Sequence, residues 1–379
     1  MPVEFVGGLF PRNQLAPRQG YGVGLDLEYL RDLARAHEHA GFDRVLIANG
    51  GGDPAYLANY AASVTERLGF MIAHRPSLTA PTIAARAYAT LDHTTGGRIR
   101  LHAITGHAAE PEHGETLDDK AQRYERTGEY LDIIRRLWTS DKPFDYDGKY
   151  FQLKDAFVGL KPVQKPHIPI SLGGSSDGAY EVAVRHTDLY ALWAEPLADV
   201  AERIAKLHKV ATAAGVTTPP RVSLSARLII GPTEELAWQK AHDLVARLKA
   251  NYEARGGGQQ RLRGHAGGAL RQQQIAARGD IHDRNLYMAT STAIGTGADT
   301  TSLVGTPDSI VQSLLDYYDI GVTTFLNRGY EPLYDAIDYG RWIISTVREE
   351  VQKRDLERER KEAKAKEEST VRAAALASA

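Results

Sequence analysis

Two patterns of hydrophobic and polar positions alternate along the 379-residue chain. The first consists of short apolar runs bounded by glycine, aspartate or proline. Such runs are typical of buried parallel strands, which are covered on both faces and therefore lack a polar side. Eight of them occur, at residues 3–10, 44–48, 68–74, 98–105, 168–173, 188–193, 222–230 and 322–327.

The second pattern predicts amphipathic helices between the strands, for example at residues 26–40, 118–138 and 196–214. Another helix begins at Thr306-Pro307-Asp308 and ends before Gly321, with an N-cap, an N1 proline and a C′ glycine. Eight strands joined by helical crossovers predict an α/β fold, a (β/α)8 TIM barrel. A doubly wound open sheet ranks second, because no dinucleotide-type glycine loop follows the first strand.

Two connections are longer than a simple crossover. Residues 139–167 contain a predicted hairpin around Asp147-Gly148, between strands four and five. Residues 251–304, between strands seven and eight, are rich in glycine, glutamine and arginine. This insertion is either a lid over the active site or a solvated loop. We therefore predict a barrel over residues 1–346, followed by a charged helical tail over 347–379 without a catalytic role.

Composition excludes several classes of function. The chain has no cysteine, so disulfides, thiolate metal sites and cysteine nucleophiles are ruled out. A net charge of −2 offers no electrostatic footprint for nucleic acid or an anionic membrane, so an anionic substrate would need local arginines. Neither a signal peptide nor an apolar run of membrane-spanning length is evident, which predicts a cytoplasmic protein.

Candidate chemistry lies at the C-terminal ends of the strands, where barrel enzymes carry their active sites. Gly173, Gly174, Ser175 and Ser176 follow the fifth strand and precede a helix. Glycines allow the backbone to approach a phosphate, serines add hydroxyl donors, and the helix N-terminus adds backbone N–H groups. The position of this turn favours a phosphate site over a plain flexible turn.

Histidines near the ends of strands three and four raise a competing interpretation. His74, His102 and His107 could bind a metal ion, with Glu195 as a further ligand. The rival function is then a metal-dependent barrel hydrolase. The His-X-His pattern expected at the end of the first strand is missing, so we predict no metal.

Longer stretches of the chain resemble the bacterial-luciferase-like flavin monooxygenases, and most closely their alkanesulfonate monooxygenase branch. The similar segments run in the same order and cover most of the barrel. They include PTIAARAYATLDHTTGGRIRLHAITG (81–106), RYERTGEYLDIIRRLW (123–138), KPVQKPHIPISLGGSS (161–176), ALWAEPLADVAERIA (191–205) and LVGTPDSI (303–310).

The resemblance implies a two-component enzyme that oxidises a small organic substrate with reduced FMN (FMNH2) and O2. A separate NAD(P)H:flavin reductase would supply the reduced FMN, and the enzyme would be a homodimer or homotetramer. It also implies roles for particular residues. The cofactor-binding set is Ala73, His102, Thr105, Tyr124, Gly174, Ser175 and Ser176, and the catalytic or substrate-binding set is His74, Trp193, Arg227 and Tyr330.

Three departures from the sulfonate branch bear on the substrate. The branch carries a cysteine and an arginine after strand two, Arg-X-His on strand seven and an arginine before the LVG motif. This chain has NGGGDP (49–54), Ser225-Ala226-Arg227 and TAIGTGADTTS (292–302) at those places. A sulfonate or sulfone substrate is predicted. Alkanes, heterocycles and halogenated compounds remain alternatives, as does an F420-dependent oxidoreductase.

Arg227 is the residue on which the substrate prediction depends. Strand alternation places Ser225, Arg227 and Ile229 on one side. Because burial of an unpaired charge is costly, an arginine inside a barrel is either paired or directed at a ligand. We expect Arg227 and Tyr330 to face one pocket and bind a substrate with a negative or strongly polar oxygen group; a salt bridge from Arg227 to Glu195 is the alternative.

Overall fold

Eight parallel strands form a closed barrel in the computed structural model, which describes residues 3–11, 24–48, 52–106, 113–254, 267–293 and 301–377. The barrel order is β1-β2-β3-β4-β7-β8-β9-β13, and β13 pairs with β1 to close the ring. The predicted TIM barrel is therefore confirmed. The strands are β1 (Glu4–Gly8), β2 (Arg44–Ile47), β3 (Gly69–His74), β4 (Ile99–Ala103), β5 (Phe144–Asp147), β6 (Gln152–Ala156), β7 (Ile170–Gly173), β8 (Leu189–Trp193), β9 (Arg221–Ile230), β10 (Ile281–His282), β11 (Leu286–Tyr287), β12 (Ser302–Gly305) and β13 (Val322–Arg328).

Helices surround the barrel and begin at clear start signals. The side chains of Asp26, Asp53 and Asp119 each accept a hydrogen bond from a backbone N–H in the first turn of α1, α2 and α4. The helices are α1 (Leu27–His39), α2 (Pro54–Ser63), α3 (Pro81–Thr94), α4 (Lys120–Thr139), α5 (Asp177–His186), α6 (Leu197–Ala213), α7 (Glu234–Ala254), α8 (Gly267–Ala276), α9 (Ala289–Thr292), α10 (Pro307–Asp319), α11 (Pro332–Tyr339) and α12 (Ser345–Ala377), with a π-helical turn at Gly340–Ile344. No helix in the described ranges is both long and apolar enough to span a bilayer.

Both long connections contain strands of their own. β5 and β6 form the antiparallel hairpin predicted around Asp147-Gly148. β9 extends beyond the barrel, and its C-terminal half pairs with β12. The sheet then continues from β12 to β11 and from β11 to β10. The arginine-rich stretch with Arg255, Arg261 and Arg263 lies outside the described residues. The prediction of a lid there therefore stays a prediction.

The barrel wall separates two sets of side chains. Val6, Met71, Leu46 and Leu326 form a small apolar cluster within the ring. Alternate residues of the same strands, such as Phe5 and Ile72, belong to the large core between the strands and the helices. Most buried apolar side chains therefore lie between the strands and the helices. The interior of the ring has few apolar side chains and holds polar groups at both ends.

The N-terminal end of the barrel is closed by an ion-pair network around Glu4. Its carboxylate lies 2.8 Å from Arg44 Nε, 3.0 Å from Arg100 Nη1 and 3.8 Å from Arg221 Nη2. The Thr324 hydroxyl adds a hydrogen bond of 3.2 Å. Burial by itself raises the pKa of Glu4, but the charges and hydrogen bonds of Arg100 and Arg44 outweigh it and lower this pKa to about 2.

Replacing Glu4 with glutamine should lower the free energy of unfolding by about 3 kcal/mol at pH 7, since a pKa lowered from its ordinary value to about 2 corresponds to that stabilisation. Because the pKa of Glu4 is depressed by folding, its contribution is complete above about pH 5 and is lost as pH falls towards 2. Urea unfolding between pH 7 and pH 3 measures both effects.

Glu66→Gln is the matched control. The Glu66 side chain is 88% exposed, and its carboxylate lies as far as 4.0 Å from the Arg67 guanidinium. Loss of this weak pair should change the free energy of unfolding by less than about 0.5 kcal/mol. Equal effects of the two substitutions would show that the Glu4 network does not stabilise the barrel.

Candidate functional site

The turn from β7 to α5 has the geometry of an anion site. Ser176 is the N-cap of α5, with extended backbone angles, yet its hydroxyl makes no capping hydrogen bond. The first N–H groups of a helix have no partner within the helix, and the helix dipole makes them attractive to negative charge. The turn therefore presents donors to an anion at the C-terminal end of the barrel.

Gly174 has no room for a side chain. A Cβ atom at this position would lie 2.5 Å from Ala179 Cβ and 2.6 Å from the Tyr124 hydroxyl. The Gly174 carbonyl oxygen is held from the other side, accepting hydrogen bonds from Tyr190 Oη at 2.6 Å and Arg203 Nη2 at 2.5 Å. These contacts, together with the lack of room for a Cβ atom, fix the backbone of the turn at Gly174.

Two hydroxyl groups at this end of the barrel are buried and poorly satisfied by the described residues. In the part of the chain that the structure describes, neither Ser176 Oγ nor Thr105 Oγ1 makes a hydrogen bond. The Ser176 hydroxyl lies beside the phenol of Tyr124, on α4. Burial raises the pKa of Tyr124, and the Ser176 hydroxyl and nearby arginine charges oppose this rise. Because buried polar groups are nearly always satisfied, these two hydroxyls are candidates for contact with a ligand.

His102 extends from β4 into the barrel interior. Its Nδ1 lies 2.9 Å from the Ser171 hydroxyl, which in turn donates to the Leu101 carbonyl oxygen at 3.3 Å. This arrangement assigns the proton to Nδ1 and leaves Nε2 as an acceptor. Burial, with a smaller effect from the Arg100 charge, lowers the pKa of His102 to about 4. A neutral imidazole therefore lies next to the site at pH 7.

His74 lies on the opposite face of the barrel wall from the other predicted catalytic residues. Its imidazole packs edge-on against Tyr88 of α3 at 5.2 Å, and its Nε2 is 2.7 Å from the Tyr130 hydroxyl of α4. Burial lowers the pKa of His74 to about 4. Alternation turns the His74 side chain towards the helices and leaves Ala73 facing inward, so the catalytic role predicted for His74 stays a prediction that its position does not favour.

The same geometry bears on the metal interpretation. His74 and His102 are on opposite faces of the barrel wall, and His107 lies outside the described residues. Glu195 is already held by two arginines, with Oε1 3.1 Å from Arg203 and Oε2 2.7 Å from Arg271. Across the described ranges no group of three or more histidine, aspartate or glutamate side chains is arranged to hold a metal ion.

Arg227 and Tyr330 meet at the ends of β9 and β13. Arg227 is in register with Arg328, two residues beyond the pair Ser225–Leu326, so it shares the inward face of Leu326. Its guanidinium lies 4.3 Å from the centre of the Tyr330 ring and donates to the Gly329 carbonyl oxygen at 2.9 Å. Tyr330 also packs against the apolar cluster beneath α7.

The alternative salt bridge from Arg227 to Glu195 is not seen among the described residues, where the Glu195 carboxylate binds Arg203 and Arg271. Sequence reasoning gave neither of these arginines a role. Arg203 occupies a polar position on an amphipathic helix, and Arg271 lies in a polar stretch of the insertion, so neither carries a local signal.

Trp193, at the end of β8, is covered by the second insertion. A Cβ atom on Gly268 of α8 would lie 3.1 Å from Trp193 Cζ3, so the helix backbone rests on the half-buried indole. This contact brings α8 over the same end of the barrel as the β7–α5 turn. Trp193, His102 and the β7–α5 turn thus lie together at the C-terminal end of the barrel strands, which we call the mouth.

A closed parallel barrel that brings a glycine-serine turn, His102 and Trp193 to the C-terminal ends of its strands has the architecture of barrel enzymes, which carry their active sites at that end. Residues 5–324 match the family described as Luciferase-like monooxygenase. The chain belongs to that family, so the predicted enzyme class, an oxidoreductase of the flavin monooxygenase type, is confirmed together with the broader resemblance.

Solved structures of the same fold have low sequence identity to this chain. A long-chain alkane monooxygenase (LadA) has a TM-score of 0.72 and 20% identity over 94% of this chain and 92% of its own. An F420-dependent secondary alcohol dehydrogenase has a TM-score of 0.66 and 18% identity over 92% and 99%. The FMN-bound oxygenating constituent of 3,6-diketocamphane monooxygenase, from Pseudomonas putida, has a TM-score of 0.64 and 18% identity over 90% and 96%.

Substituting alanine at Gly174 should destabilise the protein by about 1–3 kcal/mol, because the new Cβ would overlap Ala179 and the Tyr124 hydroxyl. Chemical denaturation measures the loss. Gly178→Ala is the comparison: its Cβ would meet no atom closer than Tyr124 Cβ at 3.2 Å, and alanine favours the helix. A destabilisation by Gly178→Ala as large as that by Gly174→Ala would contradict the tight packing of Gly174.

Proposed function

We propose that this protein is an FMN-dependent monooxygenase that oxidises a small organic molecule carrying a negative or strongly polar oxygen group. The observation that carries the cofactor assignment is the β7–α5 turn, where Gly174 has no room for a side chain and the Ser176 hydroxyl does not cap its own helix. The family to which the chain belongs supports the reaction class.

The phosphate of FMN would bind at the turn. Ser175 and Ser176 would donate their hydroxyl groups, Tyr124 would add its phenol, and the N-terminus of α5 would contribute backbone N–H groups. A charged ligand at this place also explains why the N-cap serine does not cap its own helix. Thr105 follows β4, the neighbour of β7, and would contact the cofactor close to this turn.

The isoalloxazine ring would lie in the barrel mouth beside Ala73, His102 and Trp193. Reduced FMN supplies the electrons with which O2 is activated to oxygenate a substrate. The chain's part is to bind, orient and exclude water. Neutral His102 offers Nε2 as a hydrogen-bond acceptor without placing a second positive charge in the mouth. The α8 backbone over Trp193 helps to cover this end of the barrel.

Arg227 would bind the substrate. It shares the inward face of the barrel with Arg328, its register partner, so two guanidinium groups lie on neighbouring strands at the mouth. Such a pair suits an oxyanion. Among oxyanions we favour organosulfur compounds, a sulfonate or a sulfone, because the sequence most closely resembles the alkanesulfonate branch.

Two further assignments complete the proposal. A separate NAD(P)H:flavin reductase would supply reduced FMN, in keeping with the neighbour that is named as an oxygenating constituent. The second candidate function is an F420-dependent oxidoreductase, favoured by the F420-dependent dehydrogenase of the same fold. Anaerobic titration of the protein with reduced FMN and with F420 decides between them by affinity.

The substitution Ser176→Ala should weaken FMN binding by about 1–3 kcal/mol, the range for one hydrogen bond to a charged group. Riboflavin has no phosphate, so its affinity should be the same for wild type and variant. Fluorescence titration with both flavins measures the difference. If wild type and Ser176→Ala bind FMN equally well, or if the variant loses as much affinity for riboflavin as for FMN, the phosphate does not bind at this turn.

Exchanging Arg227 for alanine should raise KM by about 10-fold or more, or abolish turnover, without weakening FMN binding, since a charge-assisted contact to the substrate is lost. Product formation from a panel of alkanesulfonates and sulfones, with reduced FMN and O2, measures the effect. If KM is unchanged for every substrate that is turned over, Arg227 does not bind the substrate.

Tyr330→Phe is matched to Arg227→Ala and tests the Tyr330 hydroxyl separately from its ring. It keeps the ring that lies 4.3 Å from the Arg227 guanidinium and removes only the hydroxyl. If the hydroxyl transfers a proton, kcat falls by about 10- to 10³-fold while KM stays near that of the wild type. If the ring only supports Arg227, both constants stay at their wild-type values.

A further inference from the structure

Glu195 is a buried carboxylate that the proposed chemistry does not use. It follows β8 by two residues, its side chain is 1% exposed, and each of its oxygens binds a different arginine. Its backbone carbonyl accepts a hydrogen bond of 2.7 Å from the Tyr317 hydroxyl of α10, which fixes the backbone. A buried carboxylate with two guanidinium partners depends on both, because a buried charge that loses a partner is costly.

The first partner connects Glu195 to the β7–α5 turn. Arg203 of α6 donates Nη1 to Glu195, Nη2 to the Gly174 carbonyl oxygen at 2.5 Å, and Nε to the Tyr180 hydroxyl of α5 at 3.1 Å. One rigid guanidinium group therefore spans the turn, the helix that follows it and the carboxylate. Any shift of Glu195 is passed to Gly174 through a planar group with fixed donor directions.

The second partner connects Glu195 to the insertion. Arg271 lies on α8, donates Nε to Glu195 at 2.7 Å and reaches Asp199 of α6 at 3.5 Å. On the same helix, Gln272 donates to the Ala194 carbonyl oxygen at 3.2 Å, and Gly268 rests on Trp193. The helix that covers Trp193 is thus attached to the residues that immediately follow β8.

We propose that Glu195 is a positioning residue that couples α8 to the phosphate-binding turn through the chain Arg271–Glu195–Arg203–Gly174. Occupation of the turn by the FMN phosphate stabilises Arg203 and Glu195 in the positions that bind Arg271, and so stabilises the contact of α8 with Trp193. By linkage, docking of α8 strengthens phosphate binding by the same factor. The ligand in this proposal rests on the proposed FMN function, but the coupling between α8 and the turn does not.

Arg271→Gln tests the coupling in the full-length protein. The Arg271 side chain is 28% exposed, so the substitution leaves no sealed cavity. Arg278→Gln is the matched control, because Arg278 also joins the insertion to α6, pairing with Asp199 at 2.7 Å, and makes no contact with Glu195. Hydrogen exchange is followed by mass spectrometry for residues 174–180 and 267–276, without ligand, with riboflavin and with FMN.

The coupling predicts three results. Without ligand, Arg271→Gln speeds exchange at residues 174–180, and Arg278→Gln does not. In the wild type, FMN slows exchange at residues 267–276 more than riboflavin does. The affinity for FMN falls at least about fivefold in Arg271→Gln, the lower end of typical coupling strengths, while riboflavin affinity is unchanged.

The failures are distinguishable. Slower exchange at 174–180 with FMN, but wild-type exchange and wild-type FMN affinity in Arg271→Gln, would overturn the coupling and leave the FMN site intact. Faster exchange at 174–180 in unliganded Arg271→Gln, with no FMN binding to the wild type, would support the coupling and overturn the FMN function. Equal changes in Arg271→Gln and Arg278→Gln would reduce Glu195 to one of several general contacts between α8 and α6 and would overturn the proposal.

Discussion

Closure of eight parallel strands into one ring is the constraint on which the rest of the structure depends. Because the strands are parallel, all of their C-terminal ends meet at one mouth, and residues far apart in sequence become neighbours there. Gly174 after β7, Trp193 at the end of β8 and Arg227 on β9 are brought together in this way. Closure by the β13–β1 pairing also removes the free edges that an open sheet would expose.

The charged side chains inside the barrel have different surroundings at its two ends. At the N-terminal end Glu4 is surrounded by arginines at distances that lower its pKa to about 2, and the network has the character of a structural support. At the mouth Arg227 lies against Tyr330 and beside Arg328. The mouth also contains the buried hydroxyls of Thr105 and Ser176, which the described residues satisfy poorly. These hydroxyls lie at the end of the barrel where barrel enzymes bind their ligands.

Glu195 shows how one buried carboxylate can organise that mouth. Its two oxygens bind arginines from two different helices, α6 and α8, and the arginine of α6 also reaches the Gly174 carbonyl oxygen. The insertion that carries α8 and the turn proposed to bind phosphate are thereby connected electrostatically through Glu195. Binding at one part of the mouth can then change the stability of another without a large rearrangement of the barrel.

Local patterns in the sequence were sufficient for the eight barrel strands, the flanking helices and the hairpin at Asp147-Gly148, since hydrophobic periodicity and capping act over a few residues. They also placed Gly173–Ser176 between a strand and a helix. Only the tertiary structure decided that His74 faces outward, because β3 is buried on both faces and lacks the alternation that would mark its inner side. It alone joined Arg203, Glu195 and Arg271, because partner choice between distant charges depends on how helices pack around the ring and not on any short-range pattern.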